Sequence, residues 1–316
     1  MRLLTDRDDD LRAQGIEWRI TGIASRRLGW HVNAEGFGPA ELAEGFPSKP
    51  ASDLSDVRSW LRAARADVLF EATSLNVKNG EPAVDHLRAA LEYGAHAITA
   101  NKGPVVYAYQ ELQSLAQRQN RRFLFESTVM DGIPIFSLFR ENLPSLRLKG
   151  FRGILNSTTN VILGGMEEGL SFEESLRKAQ ELGVAETDAS HDLDGWDATV
   201  KVAALVIVLM GEHIELDAIR REGIRQLTRE QVRAARAAGR PYKLVCEARR
   251  GFGGIEARVT PEQLPLTDPL ARVAGTSNII DFQTDIFPGL VITEENPGIY
   301  ATAYGMLADF IRAARG

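Results

Sequence analysis

Apolar positions along the first 130 residues change period repeatedly. Leu3, Leu4 and Leu11 recur at helical spacing, which predicts a helix over residues 1–15 stopped by Gly15. Residues 17–24 (EWRITGIA) alternate and carry β-branched side chains, predicting a strand. Residues 32–51 are rich in Gly, Pro and small polar residues and read as loop with one short helical turn. Residues 57–65 pattern as a helix with Ser55 or Asp56 as N-cap. A buried strand over 67–71 (DVLFE), a helix over 82–94 closed by Gly94 and a strand over 96–100 (HAITA) follow. A helix over 107–119 and a strand over 122–126 (RFLFE) complete the series. Strand and helix alternating at this spacing imply parallel βαβ units, hence an α/β fold with a doubly wound sheet.

The rhythm then changes. A strand over 149–156 runs into Ser157-Thr158-Thr159-Asn160, and helices are expected over 161–168, 172–182 and 194–210. Ser171 with Glu174 forms a capping-box pattern ahead of the second of these. Strands over 242–249, 254–259, 278–284 and 290–293 precede a closing helix over 301–314. No internal repeat or low-complexity segment interrupts the chain.

Composition narrows the class. The 316 residues suffice for two domains, or one large α/β domain with an insertion. A formal net charge of −6 gives no general attraction to nucleic acid or an anionic membrane. Cys246 is the single cysteine, so no internal disulfide can form and a cytoplasmic location is expected. The first residues lack the apolar core of a signal peptide. The longest apolar run, 202–210, is far short of the ~20 residues that cross a bilayer.

Two stretches could carry chemistry. Residues 184–201 (VAETDASHDLDGWDATVK) hold Glu186, Asp188, Asp192, Asp194 and Asp197 ahead of Lys201. Asp194 is a good N-cap, and Asp197 and Lys201, four apart, share a helix face. Lys201 opens a nearly uniform apolar run, an unusual place for an ammonium. The plain reading is a solvated helix terminus with a helical ion pair. The sharper one is a pocket whose carboxylates bind a cationic group while the lysine transfers a proton. A metal site is a third reading, weakened by the lack of histidine support. The second stretch, Thr99-Ala100-Asn101-Lys102-Gly103-Pro104, follows a predicted parallel strand, where ligands bind in such sheets. Lys102 is there either a solvated loop residue or part of an active site. Thr73 and Ser74, after the preceding strand, would let a cofactor approach closely.

ITANKGP, GILNSTTNVIL and LGVAETDASHDLDGWDATVKVA together resemble the successive signatures of the homoserine dehydrogenase family. The resemblance extends from about Arg19 to the final helix. It implies a Rossmann-like nucleotide-binding domain over 1–133, an inserted α+β substrate and dimerisation domain over 134–290, and a segment, 291–316, returning to the first domain. It implies reversible oxidation of L-homoserine to L-aspartate 4-semialdehyde, a step of threonine and methionine biosynthesis, by a homodimer using NADP or NAD.

Residue by residue, Lys201 matches the lysine that exchanges a proton with the substrate oxygen, and Lys102 a second lysine between nicotinamide and substrate. Glu186 matches the carboxylate that grips the substrate amino group, and Asp192 and Asp197 line the pocket and orient the lysine. Gly153, Asn156, Thr158 and Thr159 match the turn over the substrate. Thr73, Ser74, Asn101 and Gly298 fall near the cofactor. A sodium ion is implied at Glu126 and the backbone carbonyls of Val129, Asp131 and Ile133.

The second strand of such a domain ordinarily ends in an acidic residue for NAD. Here Ser25-Arg26-Arg27 stands there, which suits a 2′-phosphate and so NADP, the plain alternative being two surface arginines. Other departures are Met130 and Asp131 in place of small residues, a polar insertion over 75–82 (LNVKNGEP), and Ser157 in place of glycine. A first strand and glycine-rich turn are also missing, so the natural protein is expected to begin upstream of Met1. Competing expectations are a catalytically impaired homologue acting as a regulatory oligomer, and a dehydrogenase of a related small amino-acid alcohol. A phosphorylating aldehyde dehydrogenase would need a nucleophilic cysteine, whereas Cys246 reads as core.

Overall fold

The alternation read between residues 67 and 126 folds as a parallel sheet. The computed structural model describes residues 1–38, 41–42 and 54–315, and the chain divides into two units, Met1–Thr128 with Tyr300–Gly316, and Val129–Ile299. In the first unit, α1 (Arg2–Asp6) and α2 (Asp8–Ala13) lead to β1 (Gly22–Ser25) and β2 (Gly29–Val32). Then come α3 (Val57–Ala64), β3 (Val68–Glu71), α4 (Ala83–Tyr93), β4 (His96–Thr99), α5 (Lys102–Arg118) and β5 (Phe123–Leu124). β3, β4 and β5 pair in that order, in parallel. Leu11, Ile16, Ile98, Leu124, Leu307, Phe310 and Ala313 form one core, which brings the closing helix onto this sheet.

Three elements of this unit differ from the sequence pattern. The helix over 1–15 breaks at Arg7 (φ −114°, ψ 15°), and Asp8, Asp9 and Asp10 open a new first turn, where acidic side chains favour the helix dipole. The strand over 17–24 begins only at Gly22 and pairs antiparallel with β2 instead of joining the parallel sheet. A tight turn causes this: Ser25 Oγ accepts from the Leu28 N–H at 3.0 Å, folding the chain back on itself. The loop expected over 32–51 lies largely outside the described residues. Finally, α5 starts at Lys102, five residues before the predicted 107, because Asn101 caps it through the Gly103 N–H at 2.9 Å.

The second unit is a sheet with helices. Its elements are β6 (Leu148–Ile154), α6 (Ser157–Glu167), α7 (Phe172–Glu181), α8 (Ser190–Leu193), α9 (Trp196–Leu205), β7 (Arg220–Arg221) and α10 (Arg229–Ala237). β8 (Tyr242–Gly251), β9 (Gly254–Gln263), β10 (Asn278–Thr284) and β11 (Leu290–Glu294) follow, and α11 (Ile299–Arg315), which from Tyr300 on belongs to the first unit, closes the chain. The sheet order is β11–β10–β6–β8–β9–β7, antiparallel except for β7 beside β9. Its core includes Ile154, Val245, Leu264, Leu270 and Ile279. The capping box of Ser171 and Glu174 forms as read.

The single helix expected over 194–210 is instead α8, α9 and a wider π-helical turn over Val206–Met210. Asp194 is not its N-cap. Gly195 takes that place at φ 79°, a left-handed conformation that favours glycine, and the Asp194 carboxylate pairs with Arg225 at 2.5 Å. α10 was not expected, because its apolar stripe is reduced to Val232 and Ala235 among charged residues. Among the described residues, no helix is long and apolar enough to cross a membrane.

Candidate functional site

In the first unit the chemistry-bearing residues gather where β3 and β4 end. Glu71, buried at the last position of β3, accepts from Thr99 Oγ1 (2.8 Å) and from the Thr73 N–H (2.8 Å) and hydroxyl. Asn101 Nδ2 donates to the carbonyls of Thr73 (3.0 Å) and Ser74 (3.4 Å). Thr73, Ser74, Asn101 and Lys102, the first residue of α5, are thereby held together at the C-terminal ends of parallel strands. Arg26 and Arg27 are exposed in the turn after Ser25. A cavity of about 680 Å³ runs beside residues 66–70, and none of these candidate residues lines it.

In the second unit the site is built on Asn156. Its Oδ1 caps α6 by accepting from the Thr159 N–H at 2.9 Å, which leaves Nδ2 to donate to Asp192 (2.6 Å) and Asp197 (3.1 Å). Lys201, one turn along α9 from Asp197, lies 3.1 Å from its carboxylate and donates to the Leu155 carbonyl at 2.6 Å. Both side chains are four-fifths buried, with relative exposures of 17% and 19%. Gly153 sits in β6, three residues before the cap. A Cβ there would stand 2.7 Å from the Ile279 carbonyl oxygen, so the close strand pairing itself requires glycine. Thr158 donates to the Val184 carbonyl at 3.1 Å, tying the acidic loop to α6.

The charges are strongly coupled. Burial and the neighbouring Asp197 raise the Asp192 pKa, against the hydrogen bonds of Asn156 and Thr158. Burial alone would push Lys201 toward the neutral amine, but Asp197, then Asp131 and Asp192, outweigh it, and its pKa is raised. Burial and Asp131 push the Glu294 carboxyl up to about 7. Cys246 is buried with its thiol pushed up to about 12 by burial, so it is no nucleophile.

Glu186 stands apart from this network. It is exposed, and among the described residues its carboxylate has no hydrogen-bond or ion-pair partner; only its backbone carbonyl is engaged, by Gln180 at 3.2 Å. Gly298 is exposed in the segment between β11 and α11. Glu126 is buried, with Arg312 Nη1 3.3 Å from its Oε2 and its N–H donating to Asp309 at 2.8 Å. The Ile133 carbonyl accepts from the Ile135 N–H at 2.8 Å. Arg312 Nη1 is also 3.2 Å from Asp309 Oδ1, so one guanidinium is shared by two carboxylates.

Sequence reasoning passed over Glu71, Asn278, Glu294 and the Leu155 carbonyl. Only Glu71 carried a usable signal, a carboxylate ending an apolar strand.

Comparison with known proteins bears on both units. The family described as homoserine dehydrogenase matches residues 134–311, and its NAD-binding domain matches residues 1–126. The NAD(+)-dependent homoserine dehydrogenase of Pseudomonas canavaninivorans is 33% identical over 98% of this chain and 91% of its own length. A homoserine dehydrogenase of Methanocaldococcus jannaschii is 32% identical over 98% and 93%. Among solved structures, a homoserine dehydrogenase from Thiobacillus denitrificans superposes with a TM-score of 0.83 at 30% identity, over 99% of this chain and 69% of that one. A hyperthermophilic archaeal homoserine dehydrogenase in complex with NADPH gives 0.82 at 27% identity, over 99% and 93%.

Proposed function

The chain belongs to the homoserine dehydrogenase family of NAD(P)-dependent oxidoreductases, and we propose that it interconverts L-homoserine and L-aspartate 4-semialdehyde through Lys201. The observation that carries this reading is the placement of Lys201, pinned by Asp197 at 3.1 Å and the Leu155 carbonyl at 2.6 Å, where the apolar run of α9 begins.

As an ammonium, Lys201 can give a proton to the semialdehyde oxygen during reduction, and as the amine it can take the hydroxyl proton during oxidation. Asp197 holds Nζ in place and favours the ammonium. Asn156 fixes Asp197 and Asp192 together, so one side chain sets both the helix start and the orientation of the acidic pair. A bound nicotinamide dinucleotide supplies the hydride chemistry. Thr73, Ser74, Asn101 and Lys102 suit its approach, being hydroxyl, amide and ammonium groups at the end of a parallel sheet where dinucleotides bind. Arg26 and Arg27 favour a 2′-phosphate, hence NADP. Arg312 serves as a counter-charge that Glu126 shares with Asp309. A homodimer in the cytoplasm completes the reading.

Titration of NADPH fluorescence tests it against an inactive regulatory homologue. Saturable binding at micromolar concentrations is expected, with bound NADPH consumed on adding aspartate semialdehyde. Absence of binding, or binding without consumption, would support the regulatory alternative and contradict the proposed reaction.

A further inference from the structure

Beneath the turns that follow β3 and β4 lies a buried carboxylate. Glu71 is 3% exposed, and burying a charge is costly unless donors meet it. Here its Oε2 accepts from Thr99 Oγ1 at 2.8 Å, and its Oε1 accepts from the Thr73 N–H at 2.8 Å and from the Thr73 hydroxyl. The ring closes through Asn101. The Asn101 N–H donates to Thr99 Oγ1 at 2.9 Å, and its Nδ2 donates to the Thr73 carbonyl at 3.0 Å. Asn101 Oδ1 meanwhile accepts from the Gly103 N–H at 2.9 Å, capping the helix that Lys102 opens. Glu71, Thr73, Thr99 and Asn101 thus hold one another across two strand ends, and Thr73 and Ser74 remain exposed.

We infer that Glu71 is a positioning residue for the nicotinamide half of the dinucleotide, setting both turns and fixing the direction of the Thr73 hydroxyl. This inference rests on the cofactor reading proposed above. A carboxylate only accepts, and a hydroxyl has one proton and two lone pairs. The Thr73 proton goes to Glu71, so its exposed hydroxyl meets a ligand only as an acceptor. The ligand group there is therefore a donor, which excludes the phosphates of a dinucleotide. With the 2′-phosphate, and hence the adenosine, assigned to Arg26 and Arg27, the donor belongs to the nicotinamide half, on its carboxamide or its ribose. The Thr99 proton also goes to Glu71, which leaves the Thr99 oxygen to accept from Asn101 and so to steady the cap ahead of Lys102. A site fixed in this way before binding loses less freedom when the ligand arrives.

The test compares wild type, Glu71→Leu, Glu71→Gln and Thr99→Val. Calorimetry measures the binding of NADPH and of its fragment 2′-phospho-ADP-ribose, which lacks the nicotinamide. Glu71→Leu is expected to raise the dissociation constant of NADPH about 3–10-fold, the loss of roughly one net hydrogen bond, and that of the fragment less than about 2-fold. A general collapse of the domain would weaken both ligands alike. Glu71→Gln should recover most of the loss. Its amide oxygen can keep the Thr73 contacts while its NH₂ turns to Thr99, whose hydroxyl proton has the Asn101 carbonyl at 3.5 Å as a second acceptor. Thr99→Val opens the ring from the other side, should show the same split between ligands, and replaces Glu71→Leu if that variant does not fold. Unchanged NADPH affinity in the folded variants, or equal weakening of both ligands, overturns the inference. A wild type that binds NADPH with this dependence on Glu71 yet does not consume it contradicts the proposed reaction and leaves the positioning role standing. A wild type that binds no NADPH contradicts both.

Discussion

Replacing Asn156 by Asp changes a single atom type at the centre of the lysine site. The remaining oxygen still accepts from the Thr159 N–H, so the cap of α6 survives. What is lost are the donors to Asp192 at 2.6 Å and Asp197 at 3.1 Å, and a third carboxyl now faces two others. Hydrogen bonds to charged groups contribute ~1.5–3 kcal/mol each, and Asp197 keeps Lys201 as partner. A net cost of ~3 kcal/mol at neutral pH is therefore expected, or roughly 6–12 °C in melting temperature at ~2–4 °C per kcal/mol. The deficit should depend on pH. The Asp192 pKa is already raised in the fold, so protonation of this carboxyl favours the native state, and its stabilising share fades as pH rises through the folded value. The new carboxyl can likewise form a proton-sharing pair with Asp192 in acid. The variant should therefore approach wild type toward the ordinary aspartate pKa of about 3.9 and depart from it at neutral pH. Asn156→Ala removes the cap as well, ~1 kcal/mol, but adds no charge, and its extra loss should be independent of pH. Thermal unfolding followed by circular dichroism between acid and neutral pH, on all three proteins, measures this. An Asn156→Asp protein as stable as wild type at neutral pH, or with a deficit independent of pH, would refute the bridging role.

Lys102→Ala should lower turnover by ~10²–10⁴-fold, the usual range for a lost acid–base or charge-stabilising group, while the melting temperature stays near that of wild type. Its steady-state kinetics, set beside its melting curve, check this. Wild type should prefer NADP to NAD, and Arg26→Ala with Arg27→Ala should erase the preference mainly through the KM for NADP; equal use of both cofactors by wild type would count against it. Because the Lys201 pKa is raised, the ammonium persists through neutral pH. Homoserine oxidation, which needs the amine, should accelerate as pH rises into the alkaline range, while semialdehyde reduction should weaken there; pH profiles in both directions show whether it does.

Legibility from sequence followed local physics. The spacing of Asp197 and Lys201 fixed one helix face and the observed ion pair, and Ser171 with Glu174 announced its own capping box. The parallel strands at 68–71 and 96–99 were readable because each is a short apolar run bounded by a helix. Interruptions decided by tertiary packing were not. Asp194 has every local qualification as a cap, yet Arg225 draws its carboxylate away and Gly195 takes the position. The hairpin of β1 and β2 depends on whether the turn at 26–28 or a distant strand captures the backbone of 22–25, and a residue pattern does not distinguish these. Asn278 and Glu294 lie far from the acidic stretch in sequence, and only strand register sets them opposite each other. Of the residues read by resemblance, Asn156, Thr158, Asp192, Asp197 and Lys201 fall into one network and Glu186 does not.

Lys201 is proposed above as the proton-transfer group in the oxidation of homoserine by this chain. Its most direct test is parallel incubation of wild type and Lys201→Ala with L-homoserine and NADP, measuring reduced cofactor and trapped aldehyde together. Equal amounts of the two products are expected from wild type, with a loss of ~10²–10⁴-fold or more in the folded variant. Reduced cofactor forming at the wild-type rate in Lys201→Ala, or no aldehyde from wild type, would contradict it.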